Sequence, residues 1–120
     1  MDSILETIKK QLGILNDYKH FDQDIIVAIN TAFFILNQIG VGPDEVFKIE
    51  SNDETWDEFL TDNDIEIIKS YIYLRVRLLF DPPTNSYLIE NINKQLSEFE
   101  FRMLVDGNRR HNWYKEETDG

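Results

Sequence analysis

Two adjacent prolines, Pro82 and Pro83, fix where this chain must break. Each removes a backbone donor and pins φ, so no helix runs through them, and the residue before each is driven toward extended backbone. Apolar residues recur at helical spacing on both sides of the break. The stretch from Leu74 to Val105 therefore reads as the end of one helix, a hard turn at Asp81-Pro82-Pro83-Thr84, and a long second helix. Thr84 is the expected N-cap of that second helix, its hydroxyl accepting one of the free amides of the first turn.

The same reasoning divides the rest of the chain. Residues 3–12 predict a short amphipathic helix capped by Asp2 or Ser3, with Glu6 three positions on as in a capping box, Ile4, Leu5, Ile8 and Leu12 on one face, and Gly13 at its end. Residues 14–21 predict a loop in which His20 makes one local hydrogen bond. Residues 22–39 predict a second helix with Ile25, Ile26, Ile29, Ala32, Phe33, Leu36 and Ile39 on the core arc, closed by Gly40. A turn at Gly40-Val41-Gly42-Pro43 leads to a short extended segment near 46–50, whose lone strand character requires it either to pack as a loop or to pair with a neighbouring chain. Thr55 caps a short helix, Trp56–Leu60. Asp62-Asn63-Asp64 starts a helix over 65–80, whose apolar positions Ile65, Ile67, Ile68, Tyr71, Ile72, Leu74, Val76, Leu78 and Leu79 cover more than half its circumference and make it the expected central helix. In the last helix, Leu88, Ile89, Ile92, Leu96, Phe99 and Met103 form the core stripe. The fold class is all-α: a small bundle of about four to five helices with one extended segment and a Pro-Pro break between the last two long helices. Residues 1–105 form a single helical domain. Asp106-Gly107-Asn108 ends the last helix, and 106–120 read as a flexible C-terminal tail.

With 120 residues the chain forms one domain with a modest core. It has no cysteine and only two histidines, which excludes disulfides, thiolate chemistry and Cys-based zinc sites and leaves little for a catalytic triad. Asp62, Asp64 and Glu66 do not make a calcium loop, because a sixth-position glycine is absent and Tyr73 stands where the bidentate glutamate belongs. No Gly-rich phosphate loop, HExxH or GxSxG occurs, so the expectation is a non-enzyme without cofactor or metal. No signal sequence or membrane span is expected, which points to an intracellular, soluble protein. The net charge of −11 lies entirely in residues 1–68, with 15 acids against 4 bases; residues 69–120 carry 8 of each. Such a field repels nucleic-acid phosphate.

Interaction surfaces are the remaining signal. Val27 and Phe34 point away from the core arc of their helix, and Tyr87, Phe101 and Val105 lie opposite the stripe of the last one. Arg75 falls inside an apolar arc and needs a partner. Two readings stand: an ion pair within the chain, to Asp22, Asp24 or Glu98, or a bridge to a neighbouring subunit. Val27, Phe34, Arg75, Tyr87, Phe101 and Val105 are therefore the candidate subunit interface. The tail residues Arg109, Arg110, Trp113 and Tyr114 are of the types favoured at binding hot spots.

YIYLRVRLLFDPP (71–83), followed by SYLIENINKQLSEFEFRM (86–103), resembles the head–tail connector, or adaptor, proteins of long-tailed bacteriophages. FDQDIIVAINTAFFILNQIGVGP (21–43) resembles that family's second helix and exit turn, and FKIESNDETWDEFL (47–60) its following loop and Trp-bearing helix. The resemblance covers about residues 3–105 and implies a virion protein of the head–tail interface, present in host cytoplasm during assembly. It implies a homo-oligomeric ring, dodecameric in this family, that docks under the portal, extends the DNA channel without gripping DNA, and meets a stopper or tail-completion protein below. By the same resemblance the tail bearing Arg109, Arg110, Trp113 and Tyr114 reaches the portal. The alternative that composition supports is a small acidic interaction protein, such as a phage-encoded DNA mimic that inhibits a host enzyme.

Overall fold

The computed structural model describes the backbone of residues 2–61 and 65–119 and the side chains of 2–61 and 65–105. Among the described residues there are five helices and no strand: α1 (Ile4–Leu12), α2 (Asp22–Ile39), α3 (Trp56–Phe59), α4 (Ile65–Phe80) and α5 (Ser86–Asp119). The proposed start of α4 at Asp62-Asn63-Asp64 lies outside the described residues.

Local signals place the first two helices. Ser3 accepts from the Glu6 amide at 3.3 Å, and Gly13 and Gly40 close α1 and α2 in the left-handed conformation. The capping box is half formed, because the Glu6 carboxylate turns away to accept from Asn16 Nδ2 at 2.8 Å. α1 buries Ile4, Leu5 and Ile8, and α2 buries Ile25, Ile26, Ala28, Ile29, Ala32, Phe33 and Leu36. α4 buries Ile68, Tyr71, Ile72 and Val76 but leaves Ile67 and Leu79 exposed. The centre of the bundle is thus shared by α2 and α4. Ile65, Leu74 and Leu78 are only half-buried although α4 packs against α1, α2 and α5, so the apolar arc read from the sequence is wider than the buried one.

The extended segment packs as a loop on its own subunit. Asn30 of α2 turns its carboxamide to the backbone of Ile49, accepting from the amide at 2.8 Å and donating to the carbonyl at 3.0 Å. One side chain thereby supplies both bonds that a partner strand would have given. Ile49 is buried, and Phe47 joins Phe33 and Phe59 in an aromatic triad with centroids 4.7–5.4 Å apart. The turn before it requires glycine at position 42 twice over: φ is +90°, and a Cβ would sit 2.5 Å from Phe59 Cε1.

α3 is tied to the N-terminus rather than capped by Thr55. The Thr55 hydroxyl donates to the Asp57 carboxylate, and its backbone bridges Ser3, with the Ile4 amide on Glu54 O and the Trp56 amide on Asp2 O. Trp56 is fully buried, and its indole N–H donates to Thr7 Oγ1 at 3.1 Å. In the preceding loop, the Glu54 carboxylate accepts from the Glu50 and Ser51 amides at 2.8 and 3.2 Å. Burial alone raises its pKa, but these donors outweigh it and hold the group below the usual carboxylate range.

Beyond the prolines the cap is Asn85, not Thr84. Asn85 Oδ1 accepts from the Tyr87 amide at 2.8 Å, and its carbonyl accepts from the Ile89 amide. Those two bonds define an N-cap one residue later than expected. Residues 84–88 are all exposed, so packing of α5 begins at Ile89, and Leu88 leaves the core stripe to which its spacing assigned it. The helix also continues through Asp106-Gly107-Asn108 to Asp119, a run of 34 residues. A glycine inside a helix costs only about 1 kcal/mol relative to alanine, and no proline follows Pro83 to stop the ladder.

A buried lysine holds the N-terminal half together. Lys9 is 1% exposed, and its ammonium donates to Asn16 O at 3.0 Å and Tyr18 O at 2.8 Å. Asp22 Oδ1 lies 2.8 Å from the same nitrogen. That oxygen is buried without a well-directed hydrogen bond, so the ammonium charge is its compensation. Lys9→Met keeps the aliphatic stem but strands Asp22 and two carbonyls. It is expected to cost about 3 kcal/mol in denaturant unfolding, with Lys9→Met/Asp22→Leu recovering part of the loss. A single-variant loss below about 1 kcal/mol would show that water reaches the pair.

The depressed Glu54 carboxyl gives a second expectation. Its contribution is present above the unfolded-state pKa and disappears as pH falls through the lower folded-state value. Glu54→Gln should therefore flatten the acid side of the stability–pH curve while changing its neutral-to-alkaline shape little. Parallel acid limbs in the two proteins would contradict this.

Candidate interaction surfaces

The double-proline break separates α5 mechanically from α4, so side chains must set its direction. The end of α4 is closed by the Asp81 amide on Arg77 O at 3.0 Å, while Arg77 Nε donates to Asp81 O at 3.2 Å. Phe80 packs edge-on against Phe21 with centroids 5.4 Å apart, anchoring the C-terminal end of α4 to the entrance of α2. Four residues before Arg75 on the same face stands Tyr71, fully buried, and across from both stands Glu100 of α5.

These three side chains form one network. The Tyr71 hydroxyl donates to Glu100 Oε2 at 2.7 Å and accepts from Arg75 Nε at 3.1 Å; Arg75 Nη2 donates to the same Glu100 oxygen. Burial, reinforced by the neighbouring Glu100 carboxylate, pushes the Tyr71 phenol far up, so it remains a donor at any physiological pH. Burial works against the charge on Arg75, but its bonds to Glu100 and Tyr71 outweigh that and raise its pKa. The arginine partner is thus Glu100, and none of Asp22, Asp24 or Glu98. Asp22 is held by Lys9. The two charged side chains, Arg75 and Glu100, remain 27% and 28% exposed.

Two apolar faces look away from the core. On α2, Val27 and Phe34 are 63% and 50% exposed and lie seven residues apart, two turns along one line. The Thr31 hydroxyl between them bonds back to Val27 O at 3.0 Å and so offers that face a methyl group. On α5, Phe101 is 68% exposed, and Leu104 and Val105 continue its face at i+3 and i+4. Tyr87, also 68% exposed, marks the start of the helix with Leu88, and Leu79 is exposed near the end of α4.

Every apolar interface candidate read from the sequence, Val27, Phe34, Tyr87, Phe101 and Val105, is therefore at the surface. Arg75 lies part-exposed at the α4–α5 seam. Arg109, Arg110, Trp113 and Tyr114 fall on the helical backbone of α5, and their side chains lie outside the described residues. Sequence reasoning missed Leu104, although its spacing from Phe101 was a signal. It also missed Glu100, whose i+4 spacing from Leu96 places it at the margin of the core stripe, and Lys9, whose burial depends on the loop carbonyls and the carboxylate it meets.

His20 is exposed and packs edge-on against Phe21 with centroids 4.8 Å apart. Among the described residues no group of three or more His, Asp or Glu side chains is placed to hold a metal ion, and no helix is long and apolar enough to cross a membrane.

A family model described as phage connector protein matches residues 4–110, which takes in all of α1 to α4 and most of α5. No curated protein and no solved structure gives a significant match. With nearly the whole folded chain covered, the protein belongs to the phage connector protein family.

Proposed function

We propose that this connector acts by geometry alone. Copies of it assemble into a ring, dodecameric as the sequence resemblance implies, that docks beneath the portal at the capsid vertex and carries the DNA channel toward a stopper or tail-completion protein. The observation that carries this reading is the family match over residues 4–110. The protein performs no reaction in this role, and its place is in the virion.

Physical features support the reading. A ring closes through heterologous contacts, which need two different patches on each subunit. The Val27/Phe34 face of α2 and the Phe101/Leu104/Val105 face of α5 are two such patches, on helices whose opposite sides are committed to the core. Tyr87 extends the α5 surface, and Arg75 lies at its edge beside Glu100. An acidic chain of net charge −11 suits a conduit through which DNA slides without being held. The basic and aromatic residues Arg109, Arg110, Trp113 and Tyr114, at the far end of a helix about 50 Å long, are suited to reach a partner beyond the subunit body.

Electron microscopy of portal rings mixed with the protein tests the proposal. Wild-type protein should add a ring of density. Phe34→Asp and Phe101→Asp should each abolish the ring while changing unfolding stability by no more than about 0.5 kcal/mol, as expected of surface positions. Deletion of residues 107–120 should leave a folded subunit that no longer binds the portal. Absence of added density at any wild-type concentration would overturn the ring reading.

A further inference from the structure

Burial is distributed unequally over the five helices. α2 buries seven apolar side chains, α4 four and α1 three, whereas Leu96 alone is buried among the described side chains of α5. Ile89, Ile92, Phe99, Glu100 and Met103 are partly covered, and the other described residues of the helix, Leu96 aside, face solvent. Segments with few buried apolar contacts are the ones that open locally while the remainder stays folded.

The root of α5 suits such an opening. Pro82 and Pro83 interrupt the backbone ladder, so no helical hydrogen bond ties α5 to α4, and Asp81, Thr84 and Asn85 beside them are exposed. Rigid-body movement of α5 needs backbone rotation at these few positions and breaks no turn of either helix. The rest of the bundle has ties of its own: Lys9 to Asp22, Trp56 to Thr7, Asn30 to Ile49, and the Phe33–Phe47–Phe59 cluster. None of them involves α5.

We infer that α5 is a latched arm. It opens as one body about residues 81–85 while α1 to α4 remain folded, and the latch is Glu100 closing on Tyr71 and Arg75. Both donors converge on one carboxylate oxygen, Oε2, so a single residue of α5 closes the network. The carboxylate and the guanidinium are each about one-quarter exposed, so water competes for the latch as soon as it loosens. Opening uncovers the Ile92/Leu96/Phe99 stripe and the α4 surface beneath it. The inference concerns the isolated subunit and stands or falls independently of ring formation.

Native-state hydrogen exchange tests it. Once lifted from the bundle, α5 loses the packing that sustains it and frays as an isolated helix does in water, so in the wild-type protein the amides of residues 92–103 should exchange through an opening at least about 100-fold more populated than the one that exposes residues 25–36 of α2. Glu100→Gln keeps the shape but removes the charge that two donors share. It should accelerate exchange in α5 by about tenfold or more and leave α2 within twofold of wild type. Tyr71→Phe should act in the same direction. Equal protection of α2 and α5 in the wild-type protein, or equal acceleration of both by Glu100→Gln, would overturn the arm. If Glu100→Gln proves unstable, the cysteine-free chain permits spin labels at the exposed positions Gln38 and Lys94. A second, longer distance population in the wild-type protein supports the arm, and a single narrow distance overturns it.

Discussion

Glu100 accepts hydrogen bonds from two side chains of α4, and the direction of the longest helix in the protein rests on that meeting. A helix that continues directly from another inherits its axis through the backbone. α5 does not, because Pro82 and Pro83 cut the ladder. What remains to orient it is one fully buried leucine, a partly covered stripe, and a network in which Tyr71 serves both as donor to the carboxylate and as acceptor for the arginine. Hydrophobic contact presses α5 onto the bundle but tolerates sliding, since it is non-directional. The network does not tolerate it. A shift of one residue in either helix would leave a buried hydroxyl and a part-buried charge without partners.

The N-terminal half solves a different problem by related means. The loop of residues 13–21 must turn the chain from α1 into α2, and its carbonyls face inward. A lysine supplied from α1 meets two of them and the first carboxylate of α2 at once. A bound water would have satisfied the carbonyls but not the charge on Asp22. Lys9 thus brings three segments to one point, and the cost of desolvating it is met by the oxygens gathered around it. Asn30 repeats the logic at Ile49, where a polar side chain stands in for a missing strand. In a chain of 120 residues, such polar fastenings define positions that a small apolar core would leave loosely specified.

Helix existence and the surface faces were legible in the sequence because both follow from periodicity. Val27 and Phe34 break the pattern of α2, and Phe101 breaks that of α5, so their exposure needs no knowledge of the neighbours. Partner identity was not legible. Arg75 clearly needed a carboxylate, and periodicity sets Glu100, four residues after Leu96, nearer the core stripe than Glu98; that Arg75 meets it follows from the angle at which α5 leaves the proline break. The burial of Lys9 likewise depends on groups outside its helix, the Asn16 and Tyr18 carbonyls and Asp22. Boundaries failed where two residues compete for one role. Thr84 and Asn85 are both good caps, and Asn85 prevails because the helix starts one residue later than the prolines alone demand. Leu88 fits the helical wheel but precedes the point at which α5 meets the bundle. Gly107 resembles a stop, yet one internal glycine is too small a penalty to end a helix otherwise free of breakers.

These fastenings also bear on how a connector subunit presents its surfaces. The face bearing Val27 and Phe34 belongs to α2, the most deeply buried helix, and cannot change its position without disrupting the core. The face bearing Phe101, Leu104 and Val105 belongs to α5, which is held by one buried leucine, a partly covered stripe and the Glu100 network. A ring requires the angle between two such faces to equal the rotation between neighbouring subunits, and small errors accumulate around the circle. In the ring proposed above, placing one face on a fixed helix and the other on the arm inferred to open would let the angle be set during closure rather than within each free subunit. The cost would be that contacts in the proposed ring, rather than the fold of a single chain, supply the final constraint on α5.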